Sequence, residues 1–153
     1  MKWVTRARPK TDRIACPWLI RRFIDPDAEI VYVAGDQVLT AAGELGGHSF
    51  DAPGATYTHA RSPDGSGERC TFETLIAAYD LDDNPALMRL AAIVHAADVS
   101  ADTDQDPVAP GLSAIGVGGL DVESDDQVLL QRGLFVYDAL YAWCERQSTS
   151  ASA

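Results

Sequence analysis

Apolar residues recur at helical spacing over most of this chain and at strand spacing in only two short stretches near its start, which limits the folds open to it. MKWVTRA alternates as a short strand that ends at RPKTD, and EIVYVA is the clearest strand candidate. Between them, DRIACPWLIRRFID reads as a helix to about Ile24, capped by Asp12 or Cys16. Pro17 is expected in its first turn, where a missing N–H costs nothing. Further helices are expected over DQVLTAAGEL, TFETLIAAYDL and NPALMRLAAIVHAADV, the last opened by Asn84 as N-cap and Pro85 at the first position. DDQVLLQRGLFVYDALYAWCERQ is the longest, and GLSAIGVGGL reads as a glycine-loosened one. GGHSFDAPGA suggests a short extended segment and a turn, YTHARSPDGSGERC a mobile loop, and SADTDQDPVAP an acidic loop. The expected architecture is an α+β single domain over residues 1–147. It is mostly helical, with about five or six helices and a small two- or three-stranded sheet near the N-terminus. Residues 148–153 are expected to form a disordered tail.

A chain of 153 residues is long enough to bury one core. No apolar run approaches the roughly 20 residues that span a bilayer, and the basic start leads into no signal-peptide pattern. A cytoplasmic protein without a membrane segment is therefore expected. Cys16, Cys70 and Cys144 cannot all pair within one chain, and none lies in a CxxC, which argues against a disulfide framework and a zinc ribbon. The net charge is −11, unevenly spread. Seven of the 12 Lys and Arg residues fall in the first 24 positions against one acidic residue, Asp12, a local surplus of +6 that leaves −17 for the rest. A surface so acidic repels nucleic acid, whereas one basic pocket can still hold a small anion.

Three groups of residues could carry chemistry. Arg13 and Cys16 stand at the expected helix front, with Arg21 and Arg22 one to two turns further on. A helix N-terminus favours anions and thiolates, so these four form a candidate oxyanion pocket. A buried cysteine among surface arginines would account for them equally well. In HAAD, His95 and Asp98 lie three apart near an apolar stripe, a spacing at which such pairs can share a metal. Asp98 would otherwise cap a turn past the helix end. His59 and Glu73 could complete the set around iron, manganese or zinc. His48 could replace His59, and Glu73 also fits an ordinary helix-dipole partner. No dinucleotide fingerprint, P-loop, GxSxG or HExxH occurs. Tyr137, Tyr141 and Trp143 read as core and interface aromatics, which leaves a homo-oligomer open.

The segments TRARPKTDRIACPWLIRRFID, SFDAPGA, ERCTFETLIAAY, LAAIVHAAD and VYDALYAWC together resemble the chromate-resistance protein family, specifically the C-terminal domain of ChrB-type proteins. The resemblance covers nearly the whole chain. It implies a role in bacterial chromate resistance, through sensing chromate or regulating its efflux, with a small anion such as chromate or sulfate as ligand. Asp12, Arg13, Cys16, Arg21, Arg22, Cys70, Glu73, His95 and Asp98 are the matching candidate positions. Longer members of the family carry an additional N-terminal region, and DNA binding that rests on that region is not expected of this chain. A metal-dependent enzyme built on a His/carboxylate centre is the alternative.

Overall fold

The computed structural model describes residues 1–152. Its order is β1 (Lys2–Arg6), α1 (Thr11–Leu19), β2 (Glu29–Val33), α2 (Val38–Leu45), β3 (His48–Ser49), β4 (Ala60–Arg61), β5 (Glu68–Arg69), α3 (Thr71–Ala78), α4 (Pro85–Asp98), α5 (Ala109–Val122) and α6 (Asp126–Ser152). The architecture is the α+β, mostly helical one expected. The strands near the N-terminus form a parallel sheet in the order β2-β1-β3, and β4 and β5 pair as a small antiparallel hairpin.

β1 is central because both of its faces are apolar. Trp3 faces the main core, while Val4 joins Val38, Ala42 and Ala52 under α2. It pairs with β2 from Lys2↔Glu29 to Arg6↔Val33 and with β3 at Trp3↔His48. The carboxyl ends of these parallel strands therefore open on one side, where helices begin. That rim is where open α/β sheets usually bind ligands.

α1 departs from expectation at its start. It begins at Thr11, with no side-chain cap on its N-cap residue Lys10, so Pro17 stands inside it rather than in its first turn. An internal proline removes one donor and strands the carbonyl four residues earlier. Here that carbonyl belongs to Arg13, and the Tyr32 hydroxyl donates to it at 2.7 Å. The helix then widens into a π turn over Ile20–Ile24 before the chain leaves at Asp25. Cys16 is consequently mid-helix and wholly buried.

The other helices follow local signals more closely. Asn84 accepts the Leu87 N–H at 3.0 Å with Pro85 in the first turn, as expected. Leu87, Leu90, Ala91 and Val94 bury one face of α4 against a core that also holds Trp18, Phe72, Leu130 and Tyr141. The acidic segment expected to be a loop contains a 3-10 turn over Ser100–Gln105, and α5 starts early, at Ala109. α6 runs on through residues 148–152, part of the segment expected to be a tail. Ala153 lies outside the described residues.

Candidate metal centres

Asp12 enters the site because α1 starts early: it is the second residue of that helix, just beyond the end of β1. Asp51 follows β3 with a positive φ of 50°, a conformation that Asp tolerates better than most residues. Thr71, the first residue of α3, ties the two together. Its N–H donates to Asp12 Oδ2 and its hydroxyl to Asp51 Oδ1, both at 2.8 Å. His59 reaches in from the segment before β4, and Asp98 from the last position of α4. The His59 Nε2 atom lies 3.1 Å from Asp98 Oδ2, 3.5 Å from Asp51 Oδ1 and 3.7 Å from Asp12 Oδ2.

Three carboxyl groups around one imidazole disturb each other. Burial, then the charges of Asp98 and Asp51, push the Asp12 carboxyl well above its usual range. Hydrogen bonds to Asp51 and Asp98 push His59 up to about 10. Burial acts to raise Asp51, but bonds from His59 and Thr71 and the charges of Arg6 and Arg13 outweigh it and leave Asp51 low. One atom has no partner. Asp12 Oδ1 is buried without a hydrogen bond, on a side chain that is 1% exposed.

A second cluster lies beside the first. Cys70 is the N-cap of α3, and its N–H donates to Glu73 Oε2 at 2.9 Å in a reciprocal capping box. Glu73 Oε2 also stands 2.7 Å from His95 Nδ1, and His95 Nε2 lies 2.6 Å from Asp102 Oδ2. Burial lowers the affinity of His95 for its proton, but the bonds to Asp102 and Glu73 overcome this and raise its pKa.

The four expected metal ligands thus divide into two pairs. Asp12, His59 and Asp98 place ligand atoms within 4.8 Å of one another, as do Cys70, Glu73 and His95. His48 belongs to neither group and packs against Trp3 and Tyr57, with ring centroids at 4.6 and 5.7 Å. The four expected anion ligands are also dispersed. Arg13 stays at the rim, its Nε 3.6 Å from Asp51 Oδ2 and an Nη donating to the Ala7 carbonyl. Arg21 donates to the Ala28 carbonyl, while Arg22 pairs with Asp138 and stacks over Tyr141 at 4.7 Å. Burial, with Asp12 nearby, pushes the Cys16 thiol up, the opposite of an activated thiolate.

The residue pattern alone marks Asp12 as a cap, with only the family resemblance naming it as a candidate position, and passes over Asp51 and Asp102. A usable signal existed for Asp51, which directly follows a short strand in SFDAPG, at the carboxyl edge where parallel sheets gather ligands. Asp102 carried none, since four acidic residues crowd its stretch from Asp98 to Asp106.

Residues 3–144 match the family described as ChrB, C-terminal domain. The chain is also 37% identical over 142 residues to Protein ChrB of Cupriavidus metallidurans, an alignment that takes in 92% of this chain and 40% of that protein. No solved structure matches it. With the family matched over nearly its whole length, this chain belongs to the ChrB C-terminal-domain family.

Proposed function

We propose that this domain serves chromate resistance as a metal-responsive binding domain, its ion held by Asp12, His59 and Asp98 with Asp51 at the rim, and that loading contributes to the regulation of chromate efflux. The observation that carries the reading is the orphaned Asp12 Oδ1. A buried acceptor without a donor costs about 1–3 kcal/mol, and this one sits among three carboxyl groups and an imidazole. A divalent cation would satisfy it and relieve the repulsion together. Oxygen donors with one imidazole nitrogen suit manganese or iron, and zinc also accepts them.

A second ligand is favoured by one further observation. Arg6 and Arg13 share the single carboxylate of Asp51, and after burial the charge of Arg6 is the largest influence lowering the Arg13 pKa. An oxyanion such as chromate or sulfate would find two guanidinium groups there, beside the ion.

Elemental analysis of protein purified without chelator, followed by calorimetric titration of metal-free protein with Mn2+, Fe2+ and Zn2+, tests the reading. One of these ions should bind, with affinity lost in His59→Ala and Asp98→Ala. If none binds and none raises the melting temperature, the reading fails.

A further inference from the structure

The second cluster has the composition and surroundings of a metal centre in its own right. We propose that Cys70 Sγ, Glu73 Oε2 and His95 Nδ1 form an open three-ligand site for a thiophilic divalent ion of the zinc type, with its fourth position facing a polar cavity. The inference stands independently of the site on Asp12.

Four features argue for it. The donor set balances the ion, because one thiolate and one carboxylate cancel a double positive charge while a neutral imidazole completes the trio. Asp102 stands behind the imidazole, on the side away from Glu73. It holds His95 Nε2 at 2.6 Å and leaves Nδ1 directed at Glu73, the carboxylate–histidine–metal arrangement that fixes tautomer and ring orientation. The cysteine is held in place, since the capping box locks Cys70 at the start of α3 with its Sγ accepting from the Glu73 N–H. Finally, there is room. A cavity of about 280 Å³ is walled by Ser62, Ser66, Glu68, Glu73, His95 and Asp102, and the wholly buried Cys70 has its Sγ within 4.8 Å of the Glu73 and His95 ligand atoms on that wall.

Loading requires little movement. Glu73 Oε2 and His95 Nδ1 now share a proton at 2.7 Å. Ligand bonds near 2.1 Å at a tetrahedral angle set them about 3.4 Å apart. A rotation of the Glu73 side chain supplies that difference. The ion replaces the shared proton and the thiol proton, both released to solvent, and water from the cavity takes the fourth position. Sulfur also separates this site from the all-oxygen-and-imidazole one, because thiolate selects zinc and its chemical relatives over manganese.

Cobalt(II) titration of the metal-free full chain reads the sulfur directly. A thiolate-to-cobalt charge-transfer band in the near ultraviolet, with strong visible bands of a four-coordinate ion, is expected in the wild type. The same band is expected in the His59→Ala/Asp98→Ala double variant, which lacks the other site. Cys70→Ser should remove the band, and His95→Gln should weaken cobalt binding at least tenfold. Asp102→Asn, a substitution at the cavity wall that spares the core, should keep the band and weaken binding about tenfold or more. No thiolate band in the wild type overturns the proposal. So does a band that survives Cys70→Ser, or one that disappears from the double variant. A retained band in a protein that binds no manganese, iron or zinc through Asp12 would instead sink the first site and leave this one standing.

Discussion

His95 and Asp98 stand three positions apart at the end of α4 yet belong to different clusters: the ring of His95 lies between Glu73 and Asp102, while the carboxylate of Asp98 meets His59 at 3.1 Å. On an α-helix the two project about 60° apart around the axis. That divergence suffices when different segments pack along the two directions. α3 supplies Glu73 to one cluster and Thr71 to the other, and the β4–β5 region supplies Glu68 to the cavity and His59 to the aspartates. Because three segments serve both clusters, a change in either is mechanically available to the other.

The first consequence is a pH dependence of the metal-free protein. His59 is raised from 6.5 to about 10, and His95 is raised as well. A raised folded pKa means stability that is complete below the unfolded value and lost as pH climbs through the folded one. Asp12, also raised, adds a cost of ionisation with the same sign. The melting temperature in chelating buffer should therefore fall from about pH 6.5 to pH 10, and His59→Gln should flatten the fall. Thermal melts by circular dichroism across that range decide it, and a flat or rising profile contradicts the assignment.

Arg8 should matter far beyond its exposure. With φ at 58°, its N–H donates to Asp126 Oδ2, and its guanidinium reaches Asp126 Oδ1 and the carbonyls of Leu120, Glu123 and Ser124. It thereby closes the end of α5 and the start of α6 against the first strand's exit. Arg8→Ala should cost about 1–3 kcal/mol in urea denaturation. Arg8→Gly should cost roughly 0.5–1 kcal/mol less, because only the alanine keeps a Cβ in the left-handed region. Equal losses would show that the backbone conformation contributes nothing.

How far these features could be read in advance depends on the range of the forces involved. Asn84 and Pro85 mark a helix start through bonds within one turn, and the structure has that start where expected. Pro17 misleads because its cost is met at a distance: Tyr32, 19 positions from the stranded carbonyl, supplies the missing donor. With the helix start displaced, the reading of Cys16 as a residue at a helix front goes too. His59, Glu73, His95 and Asp98 were legible as residue types, but their division depends on packing between α3, α4 and the hairpin. Asp51 was hidden, and Asp12 marked by the family resemblance alone, for the opposite reason. Each looks like an ordinary cap or turn residue until Thr71, from a third segment, binds both.

Two glycines of the long helices should respond oppositely to alanine. A Cβ on Gly133 would overlap Ile14 Cγ2, part of the core, whereas one on Gly118 meets nothing within 4 Å. Gly133→Ala is expected to lose about 1–3 kcal/mol from overpacking even after the gain in helix propensity. Gly118→Ala should gain about 0.5–1 kcal/mol. Chemical denaturation of both variants tests the packing of α6 on α1, and a stabilised Gly133→Ala would mean those helices lie further apart.

Asp12 should separate stability from binding. Its carboxyl is buried, crowded by Asp51 and Asp98, and left with one oxygen unsatisfied, so the metal-free fold carries it at a cost. Asp12→Asn removes the charge and keeps an oxygen to accept from the Thr71 N–H, the one hydrogen bond Asp12 makes there. The metal-free variant should then be more stable than the wild type by about 1 kcal/mol or more, since a buried carboxyl with an unsatisfied oxygen beside two other carboxyl groups is costly to a core. The same variant should lose the rise in melting temperature that a bound divalent ion gives the wild type, because the amide oxygen is a weaker, uncharged ligand. Paired melts with and without Mn2+ measure both effects at once. A variant less stable than wild type in chelator would identify Asp12 as a structural carboxylate satisfied by Thr71 and His59, and the reading of this cluster as a cation site would lose its main support.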